Sequence, residues 1–217
     1  MKTVLLIGMG QFGQLLGEKL LNMGDEVMAV DKDENIINTI ASKYTGALIC
    51  NCMVADNLKA LDVPSYDACV VTIADDFQSS LEITSILKDL GAKYIISKAN
   101  TDIQRKFLLR VGADEVIYPN RDIAEKLAVK INSEKVYDYI ELDANYSVFE
   151  IAVPVKWIGK TIRQANPRAK HGINILTVKK DNKYMPTPTP DTVFEPNDKI
   201  VVFGNTEQIL MFTNKQK

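Results

Sequence analysis

The residues best placed to do chemistry lie at the start of the chain, where three glycines follow a short apolar run. Gly8, Gly10 and Gly13 form a G-x-G-x-x-G pattern after Val4-Leu5-Leu6-Ile7, and Asp31 lies 18 residues beyond the last glycine. A strand, a glycine turn, a helix and a terminal acid in this order indicate a site for an adenine nucleotide or dinucleotide.

Each part of this pattern has a physical role. Gly8 permits a sharp turn, Gly10 leaves the backbone open to a pyrophosphate, and Gly13 lets the helix pack closely on the strand. The helix N-terminus offers free N–H groups and the positive end of its dipole to phosphate. Asp31 can accept hydrogen bonds from ribose hydroxyls and disfavours a 2′-phosphate, although adjacent Lys32 softens that preference.

Cysteine and histidine are scarce in the rest of the chain. There are three cysteines and one histidine, His171. Cys50 and Cys52 are predicted to share one face of a strand. A redox or metal role is one interpretation, and small core or pocket-lining residues are the favoured one.

Two further candidates follow later strands, at the sheet edge where ligands bind. Asp75 and Asp76 are either an acid/base pair or, as we favour, part of a helix cap in which Asp75 pairs with Gln78. Lys98 ends the fifth strand, where it either reaches a phosphate or carboxylate or is simply solvated. No Ser–His–Asp, Cys–His or paired-carboxylate arrangement stands out.

Six apolar segments alternate with helical patterns in the first half of the chain and predict a doubly wound parallel sheet, ordered 3-2-1-4-5-6. The segments are 3–7, 26–30, 47–50, 68–73, 93–97 and 115–118. A helix then carries an apolar stripe of Ile123, Leu127 and Ile131. Packing on its own sheet is the default for this stripe, and contact with a partner is the alternative.

The pattern changes near residue 133, which predicts a nucleotide-binding domain over 1–134, a link near 133–138 and a small α/β domain over 135–217. Trp157 is expected to anchor the core of the small domain. Its predicted strands are 139–142, 147–153, 173–178 and 199–203, with helices over 159–165 and 206–212.

Size and charge exclude several functional classes. The chain has 217 residues with 26 basic and 28 acidic side chains, so nothing indicates binding to nucleic acid or to a membrane surface. Its apolar runs are strand-sized, so we expect no transmembrane helix and a cytoplasmic location.

Several motifs together resemble the RCK family, regulators of potassium conductance, over nearly the whole chain. They are the glycine pattern with Asp31, the Lys98-Ala99-Asn100 strand end, 112–119, and, in the second half, 139–142, 168–172 and 198–204. The resemblance implies a Rossmann-like TrkA-N (RCK-N) domain followed by a TrkA-C (RCK-C) domain. It also implies a non-enzymatic gating subunit of Ktr/Trk type, held at the inner face of a membrane by its partner.

The partners implied by the resemblance are a membrane potassium-translocating subunit and other copies of the chain. Dimers would build a ring, usually of eight subunits, whose geometry changes when the bound nucleotide is exchanged. The implied cofactor is an adenine nucleotide (ATP or ADP) or NAD(H).

Carried over to this chain, the family's nucleotide pocket draws on the ends of the first five strands. Asn51 and Cys52 would flank adenine, Thr72 to Ala74 would line the phosphate side, and Lys98 would approach the phosphates. The residues are Gly8, Met9, Gly10, Gln11, Phe12, Gly13, Asp31, Lys32, Asn51, Cys52, Thr72, Ile73, Ala74 and Lys98.

Two positions depart from the family pattern. Gln11 stands where the family often has an arginine that meets a γ-phosphate across the dimer, so NAD(H) stays a rival to ATP. Asn120 stands where Ktr-type members often have a glutamate that binds a cation, so we expect no metal.

Ktr-like relatives also bind cyclic di-AMP at the dimer interface of the small domain. Arg168 would meet a phosphate, the isoleucines an adenine face, and Asn174 a base edge or phosphate. The alternative is a plain dimer core with one surface arginine. The matching residues are Ile162, Arg168, Ala169, Ile173, Asn174 and Pro190.

Two other functions remain as alternatives. A small NAD-dependent oxidoreductase would need a proton-transfer residue near the nicotinamide, and none is convincing. A free-standing cyclic di-AMP receptor would have a partner other than a potassium transporter.

Overall fold

The structure is a computed structural model that describes residues 1–214 of the 217. The chain divides into two compact units, Met1–Arg121 and Asp122–Lys217. One helix, Pro119–Asn132, runs through this division. The predicted domain bounds of 1–134 and 135–217 stay a prediction.

The first unit is built on a six-stranded parallel sheet. The strands are β1 (Thr3–Ile7), β2 (Glu26–Asp31), β3 (Gly46–Ile49), β4 (Ala68–Val71), β5 (Ile95–Lys98) and β6 (Glu115–Ile117). Their order is β3-β2-β1-β4-β5-β6, and every neighbouring pair is parallel. This confirms the predicted doubly wound fold and its strand order.

Helices cover both faces of this sheet, because its central strand is apolar on both. Leu5 and Ile7 belong to one core cluster, and Val4 and Leu6 belong to the other. The helices of this unit are α1 (Gln11–Asn22), α2 (Glu34–Ile40), α3 (Ala55–Lys59), α4 (Phe77–Asp89) and α5 (Asp102–Val111), and α6 (Pro119–Asn132) follows β6. Short 3-10 turns cover Ala41–Lys43 and Val63–Ser65.

The second unit is built on a five-stranded antiparallel sheet in the order β10-β9-β11-β8-β7. The strands are β7 (Val136–Glu141), β8 (Tyr146–Ala152), β9 (Asn174–Lys180), β10 (Lys183–Met185) and β11 (Lys199–Asn205). The helices are α7 (Ile162–Ala165), α8 (Pro167–His171) and α9 (Thr206–Asn214), with a 3-10 turn over Val155–Trp157.

One face of this second sheet is the core of the unit. Phe149 and Ile151 of β8 are fully buried there. Trp157 stacks on Phe194 with the ring centroids 5.6 Å apart and is itself buried, which confirms its predicted role as a core anchor.

Strands β7 and β10 differ from the prediction, and helix α8 was not predicted. Strand β7 begins at Val136, inside the predicted link, because the side chain of Val136 is buried in the core. The short strand β10 was not predicted. It pairs with β9 through a turn at Asp181 and Asn182, both of which have positive φ, as a two-residue hairpin turn requires.

The favoured prediction, that the apolar stripe on α6 packs on its own sheet, is wrong. Ile123, Leu127 and Ile131 are 65%, 54% and 75% exposed. A different residue of the helix, Val129, packs against the core of the second unit. The helix therefore leaves its apolar stripe uncovered within this single chain.

No helix within residues 1–214 combines the length and the apolar character needed to cross a membrane.

Candidate functional site

The residues predicted to bind a nucleotide follow the carboxyl ends of the first five strands. Ile7, the last residue of β1, pairs with Val30 of β2 and with Val71 of β4, so these strands end nearly level. The chain order reverses between β1 and β4, and parallel α/β sheets bind ligands at such a reversal.

The turn after β1 requires glycine at two positions. Gly8 has φ +94°, and a Cβ there would lie 2.7 Å from the side chain of Ile73. A Cβ on Gly13 would lie 2.1 Å from the carbonyl oxygen of Gly8. The Thr72 hydroxyl donates a hydrogen bond to that same carbonyl. Thr72 and Ile73 therefore hold the turn from the β4 side.

Gly10, by contrast, faces open space. It precedes α1 in an extended conformation, and a Cβ there would meet nothing within 4 Å. No side chain caps the 12-residue helix, and its first turn carries no acidic residue. The first N–H groups of α1 are therefore available to an anion that approaches through the space beside Gly10.

Asp31 is held in place from two sides. Its Oδ2 accepts a hydrogen bond from the Met9 N–H at 2.6 Å, and its Oδ1 accepts one from the Asp33 N–H at 2.9 Å. Because a carboxylate oxygen can accept more than one hydrogen bond, both oxygens keep capacity for ribose hydroxyls. Lys32, between these residues, is exposed.

One residue that the sequence did not single out also fixes this turn. The Gln14 side chain donates from Nε2 to the Met9 carbonyl at 2.8 Å. Met9 is therefore held through both its N–H and its carbonyl. A glutamine on the first turns of a helix carries no distinctive sequence signal, so its role becomes visible only in the fold.

Asn51 lies in the turn after β3, beside Asp31. The preceding residue, Cys50, donates its N–H to the Asp31 carbonyl at 2.8 Å. The Asn51 Oδ1 accepts from the Met53 N–H at 3.1 Å, and the Asn51 carbonyl accepts from Asn57 Nδ2 at 3.0 Å. Within residues 1–214 the amide NH₂ of Asn51 has no partner, so it can donate to a base.

The two cysteines around Asn51 do not lie on a strand. Strand β3 ends at Ile49, so the prediction that Cys50 and Cys52 share a strand face is wrong. Cys52 is buried, and burial raises the pKa of its thiol far above the ordinary value, with the nearby Cys50 thiol as a further cause. Burial also raises the pKa of Cys69, to about 12.

On the other side of the glycine turn, Lys98 extends over the start of α1. Its Nζ lies 5.4 Å from the centroid of the Phe12 ring, in the first turn of that helix. This contact places a positive charge over a side chain of the first turn of α1. Gln11, next to Phe12, is exposed.

The aspartates after β4 have different roles from those predicted. Asp76, not Asp75, caps α4, because the helix begins at Phe77 and the Asp76 carboxylate accepts from the Ser79 N–H. Hydrogen bonds from Ser79 lower the pKa of Asp76. Asp75 instead accepts from Asn100 Nδ2 at 2.9 Å.

Asn100 was missed as a candidate site residue. It follows β5 at the ligand edge of the sheet. Its Oδ1 is buried and has no hydrogen-bond partner among the described residues. Its position two residues beyond Lys98 was the sequence feature that could have indicated a place in the site.

Among residues 1–214, no group of three or more His, Cys, Asp and Glu side chains is close enough to hold a metal ion.

The second unit contains a separate cavity of about 290 Å³ around α7, α8 and the proline-rich 186–190 segment. Five of the six residues predicted to bind cyclic di-AMP line it, namely Ile162, Arg168, Ile173, Asn174 and Pro190. Ala169, the sixth, lies on α8 but does not line the cavity.

Two arginines flank this cavity. Arg168 is exposed, and its side chain has no partner within residues 1–214. Arg163, which the sequence did not single out, also lines the cavity and contacts Asp191 at 3.3 Å. The cavity therefore combines apolar walls with positive charge.

Comparison with protein families identifies both halves of the chain. Residues 4–119 match the family described as the TrkA-N domain, and residues 147–217 match the TrkA-C domain. Ktr system potassium uptake protein C of Bacillus subtilis is 35% identical, over 99% of this chain and 97% of the relative. Ktr system potassium uptake protein A of the same organism is 34% identical, over 99% and 96%.

Solved structures agree with the fold. The GsuK RCK domain superposes with a TM-score of 0.68 at 17% identity, over 98% of this chain and 47% of that one. The GsuK channel bound to NAD superposes with a TM-score of 0.70 at 18% identity, over 98% and 39%. This chain thus spans less than half the length of these solved chains.

Two findings assign the family. Both domains match in this order, and the Ktr system proteins are similar to this chain over almost their full length. The chain belongs to the RCK family of TrkA-N/TrkA-C proteins and is similar to the Ktr system potassium uptake proteins.

Proposed function

We propose that this chain is a non-enzymatic, nucleotide-binding regulatory subunit of a membrane potassium uptake system. Its relatives are named as potassium uptake proteins, which supports the transport role. The observation that carries the nucleotide role is the open, uncapped start of α1 beside Gly10, next to an Asp31 carboxylate held by two backbone N–H groups.

The residues around the glycine turn fit an adenine nucleotide. A pyrophosphate would take the space beside Gly10 and accept from the first N–H groups of α1, with Lys98 supplying a positive charge. The Asp31 oxygens would accept from the ribose hydroxyls. The adenine would lie beside Asn51 and Cys52, where the Asn51 amide is free to donate. ADP, ATP and NAD(H) share this chemistry.

A bound nucleotide can regulate transport only through a difference in affinity between two states of the protein. We propose that these states are two geometries of a dimer, repeated around a ring attached to the cytoplasmic side of a potassium-translocating membrane subunit. The uncovered α6 stripe of Ile123, Leu127 and Ile131 supports a contact with a second copy.

We further propose that the cavity of the second unit binds cyclic di-AMP as a second effector. Its volume of about 290 Å³ is at the lower end for a drug-sized ligand. It therefore suits half of a cyclic dinucleotide, with the other half held by a second copy. Arg168 would pair with a phosphate, and the apolar walls of Ile162 and Ile173 would pack on an adenine.

The test is thermal stabilisation of the purified protein by ATP, ADP, NAD⁺, NADH and cyclic di-AMP, singly and in pairs. Ligands stabilise the state they bind by an amount that grows with concentration over Kd. We expect additive shifts from an adenine nucleotide and cyclic di-AMP. Asp31→Ala is expected to abolish only the first shift and Arg168→Ala only the second, so each variant is the control for the other.

Two results would contradict this proposal. A protein that none of these ligands stabilises would not be a nucleotide sensor. A protein that turns over NAD(H) with a small substrate would be an oxidoreductase instead.

The transport role needs its own measurement. When the chain is co-expressed with a Ktr-type membrane subunit in cells that lack potassium uptake, we expect restored uptake, and altered uptake for Asp31→Ala. Uptake that is indifferent to the presence of the chain would contradict the role.

A further inference from the structure

Cys50 and Cys52 form a pair of free thiols on either side of Asn51. A single residue separates them, in the turn that follows β3. Cys52 is 4% exposed, whereas Cys50 is only half-buried. One thiol of the pair is therefore accessible to a small reagent, and the other is shielded from solvent.

The turn that carries these thiols is bonded to the proposed ribose-binding residue. The Cys50 N–H donates to the Asp31 carbonyl at 2.8 Å. The Asn51 side chain bonds within the same turn, to the Met53 N–H. A backbone movement that brings the two cysteines together therefore moves Asn51 relative to Asp31.

The chain geometry allows the two sulfurs to bond. Residues two apart lie at most about 7 Å apart between their Cα atoms. Disulfides span Cα distances of about 4.4–6.8 Å. Because the segment already turns at Cys52, only a local adjustment is needed to reach that range.

The difference in burial sets the order of reaction. A hydroperoxide transfers one oxygen to the Cys50 thiol, giving a sulfenic acid and releasing water or the alcohol. The Cys52 sulfur then displaces hydroxide from that sulfenic acid, and its proton leaves with the hydroxide as water. One disulfide forms for one peroxide reduced, and a dithiol reagent reverses the reaction.

We propose that Cys50 and Cys52 form a reversible intramolecular disulfide in the presence of peroxide, and that its closure weakens nucleotide binding at the adjacent site. The second half of this inference rests on the proposed nucleotide function. Closure draws Cys50 toward Cys52, which disturbs both the Cys50 bond to Asp31 and the position of Asn51. By linkage, bound nucleotide favours the dithiol form over the disulfide by the same factor at equilibrium.

The disulfide is tested by mass spectrometry of the purified full chain after hydrogen peroxide and alkylation of the remaining thiols. We expect the loss of two hydrogens, one alkylated cysteine and a cross-link between residues 50 and 52, reversed by dithiothreitol. Cys69→Ala is the matched control and should form the same cross-link with no cysteine left to alkylate, because Cys69 is fully buried in β4 and takes no part. Cys50→Ser and Cys52→Ser should form no such bond, and three alkylated cysteines in the treated native chain would overturn the proposal.

The effect on binding is tested by calorimetry with ADP and with NAD⁺ before and after oxidation. We expect the affinity to fall about tenfold, within the range usual for coupled sites, and to recover with dithiothreitol. Cys50→Ser should be insensitive to peroxide. Unchanged affinity after complete disulfide formation would overturn the regulatory half.

The two failures are distinguishable. If the reduced protein binds neither ADP nor NAD⁺, the result contradicts both the proposed function and the proposed effect of the disulfide on nucleotide binding. If it binds nucleotide but forms no disulfide, the result contradicts only the proposed disulfide and leaves the nucleotide-binding function supported.

Discussion

At the scale of single residues, substitutions of Gly10 and Gly13 distinguish an effect on nucleotide binding from an effect on folding stability. Gly10→Ala adds a methyl group to open space in an extended backbone conformation that any residue adopts. We expect the free energy of unfolding to change by less than about 0.5 kcal/mol. Nucleotide affinity should fall, because the methyl group occupies the space proposed for the pyrophosphate.

Gly13→Ala is the matched control. Its added methyl group would lie 2.1 Å from the Gly8 carbonyl oxygen, so α1 must move away from β1. We expect a loss of about 1–3 kcal/mol in the free energy of unfolding. Urea denaturation and calorimetry with ADP and NAD⁺ check both variants. If the Gly10→Ala protein binds both ligands with the affinity of the native chain, the pyrophosphate does not lie at this turn.

The single histidine gives a prediction for pH. His171 lies among the rings of Trp157 and Phe212, with centroids 6.0 and 4.7 Å away. Burial, with Lys156 and Lys170 as further causes, lowers the pKa of His171 below its usual value. The unfolded chain therefore binds the proton more tightly, with a pKa of about 6.5.

The stability that neutral His171 contributes to the folded state is fully present above about pH 6.5. It is lost as the pH falls from there through the lower pKa of His171 in the folded state. His171→Phe keeps an aromatic ring and removes the titration. Urea denaturation between about pH 7.5 and 5 should show the native chain losing more stability than the variant. Parallel curves would show that His171 titrates alike in both states.

The sequence could identify Gly8, Gly10 and Asp31 because their spacing encodes one ligand. It could not identify Gln14 or Asn100, because their partners, Met9 and Asp75, are brought to them by the fold. The site residues as a set stay a prediction.

At the scale of elements, α6 is the helix whose surface needs a partner. Leu127→Gln with Ile123→Gln is expected to reduce the molecular mass in light scattering by disrupting contact between copies. Thermal stability of the isolated chain should not fall, since both side chains are more than half exposed. Hydrophobic area that is already solvated contributes little to folding.

Val129→Ala on the same helix is the control. Val129 packs against the core of the second unit, so its truncation should lower stability and leave the mass unchanged. If the glutamine variants keep the native mass, the stripe is not a contact between copies.

Element types were predictable where the apolar pattern was strong. The central strands β1 and β4 are continuous apolar runs, as expected for a sheet that helices cover on both faces. The strand β10 was not predictable, because its three residues are exposed and carry no apolar alternation. The α6 stripe has the same periodicity whether its partner is the same chain or another one, so sequence alone could not decide.

At the scale of the whole molecule, the two units have separate cores. All six parallel strands and every residue of the proposed nucleotide site lie within Met1–Arg121. We expect a fragment of residues 1–121 to fold and to bind ADP or NAD⁺ with the affinity of the full chain. Calorimetry on the fragment checks this, and an unfolded or non-binding fragment would show that the site depends on the second unit.

The short strand β10 has a consequence for how the molecule behaves in concentrated solution. It lies at an edge of the antiparallel sheet, is only three residues long and starts with Lys183. The next residue, Pro186, has no N–H with which to extend the ladder. Short, charged and proline-terminated edges resist strand-to-strand aggregation. This edge therefore resists pairing with a strand of a neighbouring copy, even where copies are crowded together.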